Sequence, residues 1–388
     1  MSKSLMGGLR ILITNRMLVR RAGTELYVRD LALALQSRGH APIVYSSRIG
    51  EAARELREAT VPIVDDLAML SSPPDIIHGH HHVETMTALL HFQEVPAVFF
   101  CHGWLPWDET PPSFPRILRY VGVDDTCRDR LLWEHGLDKE HVQVILNFVD
   151  LERFKPRPPL PPHPARALVF SNEASDSTHL PVVSEACERA GIHLDVAGKQ
   201  SGQISEAPER ILGGYDLVFA KGRAALEAMA VGAAVVLCDA RGAGPLVTAD
   251  EVAQLRRLNF GLRALRNQPD VAVLTREIAR YDARDAAEVS KHIRAAAGRE
   301  QAVDEIVALY HEVLTEYRGA FPRDAQAEAR ATAAYLRWAA ADMREARDLY
   351  EKELAAFENW PAVRLYKRWR DTSLIGQRAR RIVRWVAR

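Results

Sequence analysis

Short apolar runs alternate with amphipathic stretches through the first 150 residues. The runs at 9–14 (LRILIT), 42–47 (PIVYSS), 61–66 (VPIVDD), 74–80 (PDIIHGH) and 95–103 (VPAVFFCHG) have the length and composition of buried strands, and the intervening pattern predicts helices near 24–38 and 50–59. In the first helix Leu31, Ala34 and Leu35 follow Tyr27 at helical spacing, and Arg38-Gly39 supplies a cationic last turn and a glycine stop. Strands separated by helices predict a parallel sheet covered on its faces. Six of the nine residues at 156–164 are proline, which removes backbone donors and fixes φ, so no strand or helix can run through. The alternation then restarts, with runs at 167–171, 192–198, 215–220 and 233–239 and helices near 180–190 and from about Gly222. The pattern therefore predicts an α/β protein with two doubly wound, Rossmann-like domains, 1–155 and 165–321, facing each other across a linker at 156–164.

Residues 322–388 read differently, being dominated by alanine, arginine and glutamate. Leu336, Met343, Tyr350 and Phe357 recur every seven residues, with Ala339 and Ala346 between them, which gives one helix face an apolar seam. The seam fits either a coiled-coil contact between two copies through 329–357 or a long helix packed on its own domains.

At 388 residues, with 47% hydrophobic and 26% charged positions, the chain is long enough for two or three packed domains and is neither disordered nor fibrous. Lysine plus arginine and aspartate plus glutamate balance at 51 each, which removes the argument for a nucleic-acid partner that a strongly basic body would carry. The balance hides an asymmetry. The tail 361–388 holds nine basic residues against Asp371 alone, and the rest of the chain is correspondingly acidic. In that tail Leu374, Ile375, Ala379, Ile382, Val383 and Val386 fall on one helical stripe, with Trp369 and Trp385 placed to sit at a headgroup boundary. Such a helix suits an anionic membrane surface, or alternatively docking on the acidic body. The four cysteines are far apart and form no CxxC, as reduced thiols do, and no apolar run has the length of a signal or a membrane span. The expectation is a cytoplasmic protein, peripheral on the inner face of the membrane if the tail binds lipid.

The most informative chemistry lies at 215–244, YDLVFAKGRAALEAMAVGAAVVLCDARGAG. A strand ends near Phe219 or Ala220, Gly222 permits a tight passage, and a helix opens with free amides and partial positive charge, a place suited to a diphosphate. Lys221 and Arg223 flank that end and add full charges. Glu227 lies about 7.5 Å further along the helix at ~1.5 Å per residue, an offset suited to neutral ribose hydroxyls. The plainer alternative is an amphipathic helix with a solvated Glu227.

The segment LEAMAVGAAVV (226–236) resembles the helix and following strand of the retaining glycosyltransferases of family 4, which have the two-domain GT-B fold. RAGTELYVRDLALALQSRGH (21–40) resembles that family's glycine loop and first helix, DIIHGH (75–80) a strand end, CHGW (101–104) its histidine-bearing strand end, and ILNFVDLERF (145–154) its NGVD-type segment. The resemblance runs from Leu9 to about Tyr317. It implies that Gly23, with Thr24, approaches the donor phosphates through backbone amides, that His102 touches the donor sugar or the acceptor, and that Glu227 binds ribose. Ser171 and Asn172 fall at a turn that normally carries arginine, and the arginine and lysine that clamp the diphosphate are absent from SNEASDSTHLP (171–181). Lys221 and Arg223 are expected to replace them. Eight residues before Glu227, where the family has another glutamate for the transferred sugar, stands Phe219.

There is no DxD triplet, so no metal or other cofactor is expected, the helix dipole and cations serving the diphosphate instead. His78, His80, His81 and His82 look like metal ligands, but neighbours on an extended segment point to opposite faces, so crevice-lining or solvated histidines are expected. With retention the departing diphosphate accepts the acceptor's proton, and His102 positions and polarises. Trp104 and Trp107 follow His102 and suit stacking on acceptor sugar rings, or simply pack their loop down. The reading is transfer of a sugar from a nucleotide diphosphate sugar to a glycan or lipid-linked acceptor. Two alternatives share the fold: a sugar-nucleotide epimerase or hydrolase, and a non-catalytic partner protein.

Overall fold

A computed structural model describes residues 8–19, 22–198, 207–319 and 324–372. The first sheet has strands β1 (Arg10–Thr14), β2 (Ala41–Tyr45), β3 (Ile63–Val64), β4 (Ile76–Gly79), β5 (Ala97–Cys101), β6 (Ile117–Gly122) and β7 (Val142–Val144). They lie in the order β3-β2-β1-β4-β5-β6-β7 and pair parallel throughout. The second sheet has β8 (Arg166–Phe170), β9 (His193–Ala197), β10 (Leu217–Ala220), β11 (Ala234–Asp239) and β12 (Gly242–Leu246), in the order β12-β11-β10-β8-β9. Only β12, folded back on β11, is antiparallel. Both sheets are doubly wound, and each reverses its strand order once, between β1 and β4 and between β8 and β10. In open α/β sheets the carboxyl ends beside such a reversal form the ligand crevice.

The burial of β4, β5, β10 and β11 explains their unbroken apolar runs. Every residue of these strands is buried, as strands covered on both faces by helices must be. The helix Gly222–Val231 starts directly after β10 at Gly222, whose φ of +57° suits a residue without a side chain, and stops at Gly232 in the left-handed region at φ 96°.

Residues 156–164 form neither helix nor strand, and the segment is tied down by Arg157. Its amide donates to the Val231 carbonyl at 2.8 Å, and its guanidinium donates to the Tyr215 carbonyl at 2.6 Å and to Asp216 at 3.0 Å.

The helix Arg299–Gly319 follows the second sheet in the chain but packs on the elements of the first. Arg38 pairs with Glu300 at 2.7 Å and Asp304 at 3.1 Å, and Arg119 pairs with Glu316 at 2.7 Å. The same helix brings Tyr310, fully buried, against His78.

Helices Ala325–Asn359 and Pro361–Thr372 form a separate unit. The seam positions Leu336, Met343, Tyr350 and Phe357 are all more than half exposed. The apolar stripe expected at 374–386 lies outside the described residues.

Candidate functional site

A cleft of about 610 Å³ opens between the carboxyl edges of the two sheets, within the usual range of small-molecule sites. From the first sheet it is lined by Gly23 and Thr24, at the start of the helix Gly23–Ser37, and by His102, Gly103 and Trp104, which continue from β5. From the second it is lined by Ser171 and Asn172 after β8, by Lys221, Gly222, Arg223 and Glu227 after β10, and by Asp239 at the end of β11 and Arg241 just past it. Nine of the ten residues singled out from the sequence thus meet in one place. Trp107 does not, because a turn at Trp107–Glu109 sends its ring edge-on against His82, with centroids 4.2 Å apart. Trp104 lines the cleft with its indole N–H donated to Glu134 and the Arg263 guanidinium 5.2 Å above its ring.

At the amino end of the helix Gly222–Val231, the Gly222 amide donates to the Phe260 carbonyl at 3.0 Å, and among the described residues no side chain caps the helix. The cations beside it are not free charges, as the sequence suggested. Lys221 makes a close ion pair with Asp239 and lies 3.9 Å from Glu173. Arg223 bridges the two halves, its Nε donating to Glu227 at 2.7 Å and its terminal nitrogen pairing with Asp30 of the helix Gly23–Ser37. Glu227 is accordingly buried and bonded, not solvated. Burial pushes its carboxyl above the ordinary range against the pull of Arg223. Burial also pushes Asp30 upward, but Arg223 and Arg29 together outweigh it and hold that carboxyl below the ordinary range. The two directions differ because Asp30 has a second cation, Arg29, at 2.6 Å.

Arg241 is the cation that sequence reasoning missed. It is exposed in the cleft, its amide donates to Asp239 at 2.8 Å, and among the described residues no carboxylate pairs with its guanidinium. Its place just past the end of β11 was the available signal.

His102 is held by its backbone amide, which donates to the buried Glu109 at 2.7 Å. Burial pushes the Glu109 carboxyl up to about 8. Arg130 fixes the same loop by donating to the Gly103 carbonyl at 2.6 Å and the Pro106 carbonyl at 3.1 Å. The His102 ring meets His80 at 2.7 Å, and burial, aided by His81, holds its pKa down to about 3, so the ring is neutral. His78, His80, His81 and His82 are interior, neither solvated nor lining the cleft. They divide between faces as an extended segment requires: His78 and His80 point towards Phe100, while His81 accepts from the Arg16 amide at 3.0 Å. Among the described residues no group of three histidine, cysteine or acidic side chains is placed to hold a metal ion. Phe219, which the count of eight sets against a family glutamate, is fully buried in β10 and does not face the cleft.

Two doubly wound sheets facing a cleft, with helices beyond them, define the GT-B architecture of glycosyltransferases. Residues 21–153 match the model of Glycosyltransferase Family 4. Solved structures sharing the fold include a glycosyltransferase from Rickettsia africae, at 14% identity, covering 80% of this chain and 99% of that one with a TM-score of 0.60. Another is HepE from Anabaena in complex with UDP and glucose, at 14% identity, 78% and 100% coverage and a TM-score of 0.55. A third is a putative UDP-N-acetylglucosamine 2-epimerase from Listeria monocytogenes, at 14% identity, 80% and 98% coverage and a TM-score of 0.50. No curated protein sequence matches the chain. The family match, on a chain with this fold, classes it as a glycosyltransferase, an enzyme of sugar transfer. No helix among the described residues is long and apolar enough to cross a membrane.

Proposed function

We propose that the chain transfers a sugar, with retention and without a metal ion, from a nucleotide diphosphate sugar to a glycan or lipid-linked acceptor. The observation that carries this reading is the uncapped amino end of the helix Gly222–Val231 opening into the cleft, with Glu227 one and a half turns further in. The diphosphate rests at that end, where amides and dipole meet its charge, and Glu227 takes the ribose hydroxyls. His102, across the cleft and neutral, bonds the transferred sugar or the acceptor, and Trp104 stacks on the acceptor. The departing diphosphate takes the acceptor's proton, so no strong base is needed. In this reading the enzyme serves polysaccharide synthesis in the cytoplasm, its tail 361–388 rests on an anionic lipid surface, and two copies join through 329–357.

Thermal melting with a panel of nucleotide diphosphate sugars tests the reading. A donor at 100 times its Kd adds about 2.7 kcal/mol of stability, whereas no shift with any member of the panel overturns the assignment of the cleft.

Because Lys221 and Arg223 are already neutralised by carboxylates, Arg241, whose guanidinium no carboxylate pairs among the described residues, is placed to meet the diphosphate. UDP, which HepE binds, is the first probe. Arg241→Gln is expected to lose about tenfold in affinity for UDP, the worth of one charge-assisted hydrogen bond, and to keep its affinity for UMP. Titration calorimetry measures both, and an unchanged UDP affinity removes Arg241 from the phosphate site.

A further inference from the structure

Three buried side chains and the half-buried His102 form a chain from the helix Arg299–Gly319 to the cleft. Tyr310 Oη lies 2.5 Å from His78 Nδ1, the His78 and His80 rings are 4.6 Å apart, and His80 Nδ1 lies 2.7 Å from His102 Nε2. The register of the first sheet makes this possible. His78 and His80 alternate on one face of β4 and its continuation, Phe100 and His102 do the same from β5, and the strands run parallel side by side. Tyr27 packs edge-on to both His80 and His102, at 5.4 and 4.6 Å between centroids, and Phe100 stacks on His78 at 4.1 Å. The rings therefore cannot turn freely.

His80 and His102 share one hydrogen bond, so one of the two facing nitrogens carries the proton. Among the described residues the far nitrogen of His80, Nε2, is buried without a partner, and so is Nε2 of His78. A bare lone pair is the cheaper group to leave unmatched in a dry interior, since orphaned buried N–H groups are the rarer defect. The proton of the His80 ring accordingly sits on Nδ1, where a partner exists, and His80 donates to His102 Nε2. His102 keeps its own proton on Nδ1, the nitrogen left for the cleft that the ring lines. We propose that His80 is a positioning residue that locks His102 as the Nδ1–H tautomer, so that His102 offers the substrate a hydrogen-bond donor and not a base. Burial holds both rings well below the ordinary histidine pKa, which keeps one proton on each.

A donor at that place suits an oxygen that gains negative charge, such as the one leaving or receiving the transferred sugar, and this consequence rests on the sugar-transfer reading. The tautomer itself does not. In full-length protein labelled with 15N-histidine, the His102 ring, identified by loss of its signals in His102→Asn, is expected to show the Nδ1–H pattern. His80→Leu, which removes the donor, is expected to move His102 towards the Nε2–H form and to lower kcat about tenfold with little change in donor KM, the signature of one lost neutral hydrogen bond in the transition state. His80→Asn, whose amide nitrogen stands near the position of Nδ1, is expected to restore both. An Nε2–H pattern for His102 in the unmodified protein, or a tautomer indifferent to His80→Leu, overturns the proposal. If His80→Leu does not fold, the unmodified protein and His80→Asn still decide it. An Nδ1–H pattern in a protein that turns over no nucleotide sugar sustains the tautomer and counts against the sugar-transfer reading alone.

Discussion

Placing glutamate at position 219, as the family spacing invites, is expected to unfold the protein and not to improve its chemistry. Phe219 is fully buried, flanked in the sheet by Val169 on β8 and Val236 on β11. A glutamate there must either ionise in an apolar interior or take up a proton. Keeping it neutral at pH 7 costs about 3.7 kcal/mol for an ordinary pKa near 4.3. Loss of the phenyl group's burial adds about 2 kcal/mol. The sum approaches the whole margin of many domains, so Phe219→Glu is expected to melt at least ~10 °C lower or to be recovered only as aggregate. At pH 5 the protonation cost falls to about 1 kcal/mol, and the variant should recover part of its stability. Phe219→Leu, which keeps the site apolar, is expected to cost only about 1–2 kcal/mol. Circular dichroism melts at both pH values check this. A Phe219→Glu protein that melts like the parent and binds donors differently would mean that the side chain reaches the cleft.

The same position shows how far the sequence could be read. The alternation of apolar runs and helices specified five of the seven strands of the first sheet and four of the five of the second, because a strand buried on two faces has little freedom in its composition, and it left out β6, β7 and β12. The amino end of the helix Gly222–Val231 and the histidine after β5 were legible for a related reason: ligand crevices form where strands end, and strand ends can be counted. Counting along the chain set Phe219 against a family glutamate, whereas its side chain is buried within β10 and does not line the cleft. Pairings across the cleft were also beyond reach. Asp30 is 193 residues from Arg223, and the buried positions of its helix include Glu25, Arg29 and Asp30 among apolar neighbours. Nothing in that helix says which distant residue meets it. The histidine chain was half legible. The alternation of His78 and His80 onto one face follows from strand geometry, but the approach of His102 needs the pairing of β4 with β5, and Tyr310 comes from a helix that returns to the first sheet after the second is complete.

Arg223→Ala is expected to be the most destabilising change in the cleft. The guanidinium is nearly buried and holds two buried carboxylates from opposite halves, Asp30 and Glu227. Removing it leaves Glu227 without its bonded cation and Asp30 with Arg29 alone. Breaking one partner out of a buried ionic group costs about 3–5 kcal/mol, which corresponds to a fall in Tm of order 10 °C. The pH dependence follows from the two carboxyls. Asp30, held below its ordinary pKa, stabilises the fold above pH ~4 and loses that contribution as pH falls through its folded pKa. Glu227, already raised by burial, favours the fold only when protonated, and without Arg223 its folded pKa rises further, so the penalty grows as pH rises. Both effects widen the gap between variant and parent towards neutral pH. The difference in Tm should be small near pH 4 and largest at pH 7–8, and a gap independent of pH would show that the three groups are solvated and unpaired. The quadruple variant Arg29→Met, Asp30→Leu, Arg223→Met, Glu227→Leu, which also removes the buried cation paired with Asp30, separates stability from function. Apolar groups of similar volume replace a buried ionic cluster at little or no cost, so its Tm should return close to that of the parent while nucleotide affinity, which needs the Glu227 carboxylate, stays lost. Recovery of both together would show that Glu227 has no part in binding the donor.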